Sequence, residues 1–148
     1  EVAEEYKLSS ENLYLSTNYV DRFLSIVPVL RSKLQLVGVA CMLIASKYEE
    51  IFAPQVEDFV YITDNTYTAE EVIKMETTIL NALKFSLTVV TPFVFIRRLA
   101  TLLEMTEEMR HLSEYLSEIT LQEFPFVQFR PSQVAFSAIL LSLHTMSK

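Results

Sequence analysis

Residues 34–45 constrain the fold more than any other stretch, because almost every position in them is apolar or small. The segment reads Leu-Gln-Leu-Val-Gly-Val-Ala-Cys-Met-Leu-Ile-Ala and has no alternation of apolar and polar residues. Apolar residues on every side of a helical wheel are typical of a helix that is buried all round. The run is too short to cross a bilayer. It therefore predicts the central helix of a helical domain.

The start of this helix and its one glycine carry further information. Ser32 and Gln35 fit a capping box, and Thr68 and Glu71 repeat the pattern later in the chain. Gly38 is the only glycine in the sequence. Inside a helix a glycine costs about 1 kcal/mol relative to alanine. We therefore predict that another helix backbone approaches closely at Gly38.

The composition bounds the class of protein and of partner. The chain has 148 residues, 51% of them hydrophobic, so it is long and apolar enough to bury a core. Its net charge of -7 argues against nucleic acid and an anionic membrane as partners, and favours a basic or locally complementary protein. The single cysteine, Cys41, predicts a small core side chain in a reducing, intracellular setting. No signal peptide, membrane span or lipidation motif is visible.

The rest of the chain predicts further helices and no strand. Residues 1–7 end one helix, and Ser9 or Ser10 starts the next. Pro54 and Pro92 suit the first turn of a helix, where the N–H that proline lacks would have no partner anyway. The predicted all-α fold continues with helices at residues 55–61, 68–83, 92–103, 107–122 and 131–146, and a turn at residues 64–65.

An internal repeat relates the two halves of the sequence. A shift that places Val37 on Val134 also places Gly38 on Ala135, Cys41 on Ala138 and Ser16 on Ser113. Small residues then align with small ones and large residues with large ones, which predicts two similarly built halves. The alternative is that any two apolar helices align passably. Because each half lacks helices that the other has, we expect a fragment cut at both ends.

The sequence offers little for catalysis. It has no glycine-rich phosphate loop, no Cys or His pair at metal-ligand spacing and no nucleophile elbow. His111 and His144 stand alone, and a lone histidine near a helix end usually lies at the surface. We predict a protein that is not an enzyme, with no catalytic residue, metal or cofactor.

Glu76 is the unusual charge in the sequence. It shares one face of its predicted helix with apolar residues, namely Val72, Ile79, Leu80 and Leu83. An ionised group facing a core must be paired, or it takes up a proton. Lys47, at the end of the central helix, is the candidate partner. The two form a structural ion pair, or Lys47 reaches water with Glu76 at the rim, or both flank a groove for another protein's helix or loop.

Several segments, taken together, match a known family. They are Asn18-Tyr19-Val20-Asp21-Arg22-Phe23-Leu24, Lys33-Leu34-Gln35-Leu36, Ala45-Ser46-Lys47-Tyr48-Glu49-Glu50-Ile51, Val60-Tyr61-Ile62-Thr63-Asp64-Asn65-Thr66-Tyr67 and Met75-Glu76. This set resembles the cyclin box of A- and B-type cyclins. Residues 53–57 favour the plant-like A-type, and the half after Thr91 is similar mainly in its helical layout.

The resemblance implies a fold of tandem cyclin boxes, each a five-helix repeat. The N-terminal box would occupy residues 1–87 with its first helix truncated. The C-terminal box would occupy residues 88–148 and be truncated after its third helix.

The resemblance also implies a regulatory subunit of a protein serine/threonine kinase. Such a subunit binds a cyclin-dependent kinase and activates it in cell-cycle control, in the nucleus and cytoplasm. By position, Lys47 and Glu76 would bond backbone groups beside the PSTAIRE helix of the kinase. The pocket for that helix would be lined by Ile44, Tyr48, Leu80 and Leu87, with Glu49 and Phe85 nearby. Tyr48 stands where many animal relatives have phenylalanine.

A second implied site recruits substrates and inhibitors that contain an Arg-x-Leu motif. Of its positions, this chain has those that match Glu1, Leu34 and Gln35. The Met-Arg-Ala-Ile-Leu segment and the tryptophan of the family are not in the sequence.

Two other functions remain as alternatives. A transcription-factor core of the TFIIB type shares the fold but needs a basic face, whereas this chain has 12 Lys and Arg against 19 Asp and Glu. A non-regulatory helical scaffold would use the Lys47–Glu76 pair for stability alone.

Overall fold

The computed structural model describes residues 2–146, which are helical or in turns and loops and include no strand. The predicted all-α fold is confirmed for this part of the chain. None of its helices has both the length and the apolarity needed to span a bilayer. In chain order the helices are α1 (Val2–Glu5), α2 (Ser10–Ile26), α3 (Leu34–Glu49), α4 (Val56–Ile62), α5 (Ala69–Ala82), α6 (Pro92–Leu102), α7 (Glu107–Ile119) and α8 (Pro131–Met146).

The chain divides into two compact units, Glu1–Thr88 and Val89–Lys148. In the first unit α3 packs against both α2 and α5. Its core cluster contains Leu36, Leu43, Phe59, Tyr67 and Val72. Burying a side chain of this size stabilises the fold by about 1.5–3 kcal/mol. The apolar run of residues 34–45 therefore lies where the sequence predicts, at the centre of the unit.

The capping box predicted at Thr68 is present. The backbone N–H of Glu71 donates to Thr68 Oγ1 at 3.2 Å, and the N–H of Thr68 donates to Glu71 Oε2 at 3.1 Å. This backbone donor, together with the ammonium of Lys33, lowers the pKa of Glu71 below its ordinary value. Pro92 opens α6 as predicted, and Val94 N–H donates to Thr91 Oγ1 at 3.4 Å, so Thr91 caps this helix.

Two predicted helix starts are wrong. Residues Arg31–Lys33 form a 3-10 turn, and Lys33, not Ser32, precedes α3 without a side-chain cap. The carbonyl of Ser32 instead accepts a hydrogen bond from the Tyr67 hydroxyl at 3.1 Å. In α4 the cap is Gln55, paired with Asp58, so Pro54 lies before the helix rather than in its first turn.

The prediction that another helix backbone lies close to Gly38 is also wrong. A Cβ placed on Gly38 would meet no atom within 4 Å outside its own helix backbone and chain neighbours. Gly38 lies beside a groove of about 440 Å³ between α2, α3 and α4, whose walls include Thr17, Val39 and Ile62. The glycine therefore faces open space.

In the second unit α8 takes the central place and packs against α6 and α7. Its core contains Ile96, Ala135, Ala138 and Ile139. The Ser142 hydroxyl donates to the carbonyl of Met109 at 2.7 Å and ties α8 to α7.

Some of the positions matched by the internal repeat share burial. Ser16 and Ser113 are both buried, as are Val37 and Val134. The likeness ends on one face of the central helices, where Leu43 is fully buried by residues of α4 and α5 but its counterpart Leu140 is 64% exposed.

Candidate functional site

Lys47 and Glu76 meet in the first unit, as the sequence predicts. Lys47 lies in the last turn of α3, and its Nζ contacts Oε1 of Glu76 on α5 at 2.8 Å and Oε2 at 3.0 Å. The side chain of Lys47 is 47% exposed and that of Glu76 is 12% exposed. The carboxylate is thus nearly buried, and the ammonium that neutralises it lies at the surface.

This arrangement leaves bonding capacity on both groups. An ammonium has three N–H donors and a carboxylate has about four acceptor positions, so the pair uses only part of each. Solvent reaches the lysine, and pairs of that kind contribute only about 0–1 kcal/mol to stability. The pair can therefore stay intact and still bond an incoming backbone N–H or C=O.

The turn that follows α5 has left-handed backbone, as does the turn at Asp64 and Asn65 after α4. Lys84 and Phe85 have φ values of 53° and 55°, in the left-handed region that glycine favours. Each such residue with a Cβ costs on the order of 1–2 kcal/mol. The Phe85 N–H donates to the Leu80 carbonyl at 2.9 Å and so closes the end of the helix. Strained turns of this kind persist only where the surrounding structure holds them.

Two side chains from α2 hold this turn. The Tyr19 hydroxyl donates to the carbonyl of Leu87 at 3.0 Å, and Arg22 Nη2 donates to the carbonyl of Ser86 at 2.9 Å. Burial, and to a lesser extent the nearby Tyr48, raises the pKa of Tyr19 to about 12, so its hydroxyl keeps the donated proton.

Tyr48 stands where the resemblance places phenylalanine in many animal relatives. Its additional hydroxyl also has a hydrogen-bond partner. It lies 2.8 Å from the Thr88 hydroxyl. Tyr48 is the neighbour of Lys47 on α3, and Thr88 follows Leu87. The end of α3, the second half of α5 and the turn after α5 therefore form one surface.

The predicted docking residues differ in their exposure. Phe85 is 65% exposed, Tyr48 is 45% exposed, and Glu49 is also exposed. Leu80 and Leu87 are half-buried. Ile44 is only 3% exposed, so it belongs to the packed interior beneath this surface. We refer to Lys47, Tyr48, Glu76, Leu80, Phe85 and Leu87 as the α3–α5 surface.

Sequence reasoning missed two exposed apolar residues close to this surface in the chain. Ile51 and Phe52 directly follow the two glutamates at the end of α3 and are 90% and 92% exposed. Large apolar side chains with so little burial add nothing to a core, and adjacent ones are typical of interaction sites. Their place just before Pro54, outside any periodic run, is the signal that could have identified them.

The predicted substrate-motif residues are only partly described. Leu34 and Gln35 are exposed at the start of α3, and Gln35 lines the groove beside Gly38. Glu1 lies outside the described residues. Within residues 2–146 no group of three or more His, Cys, Asp or Glu side chains could hold a metal ion.

Comparison with known families decides the identity. The cyclin N-terminal domain family matches residues 1–88, and the cyclin C-terminal domain family matches residues 90–148. The chain belongs to the cyclin family. The tandem cyclin-box fold expected from the resemblance is thereby confirmed.

Individual relatives of this cyclin carry A-type names. Cyclin-A2-1 of Arabidopsis thaliana is 48% identical over 153 residues, which cover 100% of this chain and 34% of that protein. Putative cyclin-A3-1 of the same plant is 52% identical over 96% of this chain and 41% of its own length. G2/mitotic-specific cyclin-A of Hydra viridissima is 50% identical over 99% of this chain and 36% of its own length. The predicted likeness to A-type cyclins is confirmed, and the chain spans only 34–41% of these relatives.

Solved structures share the fold of this cyclin. A viral cyclin from herpesvirus saimiri superposes with a TM-score of 0.89 at 24% identity, over 99% of this chain and 66% of the viral chain. A chain in the CAK complex of Chaetomium thermophilum bound to ATP-gamma-S gives a TM-score of 0.73 at 20% identity, over 99% of this chain and 49% of that chain.

Proposed function

We propose that this chain is the kinase-binding part of a regulatory subunit that binds a cyclin-dependent protein kinase and activates it in cell-cycle control. The single observation that supports this most strongly is the α3–α5 surface. There a half-exposed Lys47, paired with a nearly buried Glu76, lies next to exposed aromatic residues. Membership of the cyclin family supplies the class of partner.

Docking would use the PSTAIRE helix of the kinase as the central contact. The remaining donor of Lys47 and the remaining acceptor positions of Glu76 would bond backbone groups beside that helix. The exposed rings of Tyr48 and Phe85 would supply the apolar contacts. Such an arrangement, with a few aromatic anchors beside a satisfied polar pair, is typical of the residues that dominate interface energies.

Activation follows from docking as a shift between two states of the kinase. Catalysis in protein kinases needs an ion pair between a strand lysine and a helix glutamate, with magnesium ligands in place. A subunit that binds only the inward position of that helix favours the state in which these groups assemble. The regulatory subunit itself contributes no catalytic residue in this account.

The test is a phosphorylation assay with the intact protein and a cyclin-dependent kinase. We expect Lys47→Ala combined with Glu76→Ala to abolish activation while the helix content remains unchanged. Phe85→Ala tests the apolar contact. A charged substitution at Ile44 would not serve, because Ile44 is buried and a charge there would unfold the unit. Phe124→Ala, at an 85% exposed position in the second unit, is the matched control. Full activation by the α3–α5 variants would contradict the proposal.

We further propose that Leu34 and Gln35 contribute to recruiting substrates with an Arg-x-Leu motif. Both are exposed, and Gln35 borders the groove beside Gly38. A fluorescent Arg-x-Leu peptide should bind the intact protein and bind more weakly after Gln35→Ala. Equal binding of an Ala-x-Ala peptide would contradict this.

We also propose that the protein is located in the nucleus and cytoplasm, and a fluorescent fusion would test this location.

Net charge disfavours the alternative function, a transcription-factor core that grips DNA. The chain carries a net charge of -7, and a DNA-binding face needs a basic patch.

A further inference from the structure

The turn after α5 is strained, and side chains from another helix hold its backbone. Lys84 and Phe85 both have left-handed φ values, and neither is a glycine. Residues with a Cβ leave that region unless their neighbours prevent it. Neighbouring groups must therefore keep the Phe85 backbone in this conformation.

Arg22 and Tyr19 lie on one face of α2, three residues apart, and both donate to the main chain of this turn. Arg22 bonds the carbonyl of Ser86 at 2.9 Å, and Tyr19 bonds the carbonyl of Leu87 at 3.0 Å. Because the acceptors are consecutive backbone carbonyls, these bonds fix the path of the chain directly after Phe85.

Both donors are themselves held in place. Tyr19 is fully buried, and Arg22 Nη1 also lies 3.4 Å from the Asn18 side-chain oxygen one turn earlier on α2. A rigid anchor of this kind lowers the ordering cost that a mobile segment meets on binding.

The residue that the turn presents is an aromatic ring in solvent. Phe85 is 65% exposed, so the strained backbone gives the first unit little burial in return. Strained backbone residues cluster at sites that bind a ligand or a partner.

We propose that Arg22 and Tyr19 are positioning residues, which hold the strained turn so that the Phe85 ring is already oriented for the kinase. This inference rests on the proposed function, because it needs the α3–α5 surface to be the docking surface. Neither residue contacts the kinase in this account, and each acts through Phe85.

A double-mutant cycle tests this. The dissociation constant for a cyclin-dependent kinase is measured by calorimetry for Tyr19→Phe and Arg22→Met, each alone and each combined with Phe85→Ala. We expect each single variant to weaken binding about fivefold, the equivalent of one hydrogen bond. In the Phe85→Ala background the same changes should matter less than about twofold. Tyr61→Phe, at an exposed tyrosine of α4, and Arg98→Met, at an exposed arginine of α6, are matched controls.

The outcomes separate the positioning role from the docking surface itself. If Phe85→Ala weakens binding while Tyr19→Phe and Arg22→Met leave it unchanged, the positioning role is overturned and the docking surface stands. Equal weakening with and without Phe85 also overturns it, since the two residues would then act independently of the ring. If neither Phe85→Ala nor the Lys47 and Glu76 variants change the affinity, the proposed function fails, and the positioning role fails with it.

Tyr19→Phe keeps the buried ring, so the proposal stays testable through this variant if Arg22→Met fails to fold. Hydrogen exchange of the amides of residues 84–88 gives a second readout. We expect faster exchange there in both variants and no change in α8. Unchanged exchange at residues 84–88 would overturn the proposal.

Discussion

Lys47 Nζ lies 2.8 Å from one carboxylate oxygen of Glu76 and 3.0 Å from the other, and so links the last turn of α3 to the middle of α5. The lysine side chain is 47% exposed, against 12% for the glutamate. The two charges are therefore not equivalent, because loss of the lysine leaves a nearly buried carboxylate, whereas loss of the glutamate leaves an ammonium in water.

This asymmetry predicts unequal effects on stability. We expect Lys47→Met to lower the free energy of unfolding by about 1–2 kcal/mol, because Glu76 would lose its partner. Lys47→Met with Glu76→Leu should return to within about 1 kcal/mol of the original chain, since the carboxylate is then gone. Urea denaturation of these two variants and of Glu76→Leu alone, which should cost less than Lys47→Met, measures the three values. Strictly additive losses would show that the pair contributes no coupling.

The left-handed backbone at Lys84 predicts a stabilising substitution. Lys84→Gly should raise the free energy of unfolding by about 1 kcal/mol, because glycine adopts a positive φ without the clash of a Cβ. Lys74→Gly, in the interior of α5, is the matched control and should lower it by about the same amount. Urea denaturation of both variants provides the check, and a loss of stability in Lys84→Gly would argue against the strained turn.

The open space beside Gly38 predicts that a side chain there is tolerated, whereas the sequence suggested that another helix backbone would exclude it. Because a Cβ at this position meets no atom within 4 Å, Gly38→Ala should stabilise the chain by about 1 kcal/mol. Ala40→Gly, at a fully buried site of the same helix, should destabilise it. If thermal unfolding showed Gly38→Ala to be strongly destabilising, another backbone would have to lie against it.

The raised pKa of Tyr19 predicts that the stability of the fold decreases at alkaline pH. Its pKa is about 12 in the fold and 10.0 ordinarily, so the unfolded state releases the phenolic proton first as the pH rises. The stability that it contributes is fully present below pH 10 and is lost progressively toward pH 12. The difference in unfolding free energy between the original chain and Tyr19→Phe should shrink over that range. Burial raises the pKa of Cys41 to about 12 as well, but this effect is common to both proteins and cancels in the difference. A difference that stayed constant would contradict a buried, donating hydroxyl.

The sequence predicted the parts of this structure that depend on local pattern. The apolar run at residues 34–45 became α3, and the Thr68 cap formed because its partner Glu71 lies within the same turn. The pairing of Lys47 with Glu76 was also predictable, since an apolar helix face leaves a carboxylate few alternatives.

The failures depend on contacts that are distant in the sequence. Ser32 lost its predicted capping role to a 3-10 turn, and its carbonyl bonds Tyr67, 35 residues away. The bonds from Tyr19 and Arg22 to the turn after α5 span 68 and 64 residues. No periodicity or spacing in a single sequence indicates them, because they depend on how α2 packs in the first unit.

The central claim is that Lys47 and Glu76 form part of a surface that binds a cyclin-dependent kinase. The most direct test is calorimetric titration of that kinase with the intact protein and with its Lys47→Met, Glu76→Leu variant, which we expect to remain folded because the nearly buried carboxylate is gone. We predict a dissociation constant at least about 30-fold higher for the variant, as for residues that dominate an interface. An unchanged dissociation constant in a folded variant would contradict the account and leave the pair with a purely structural role.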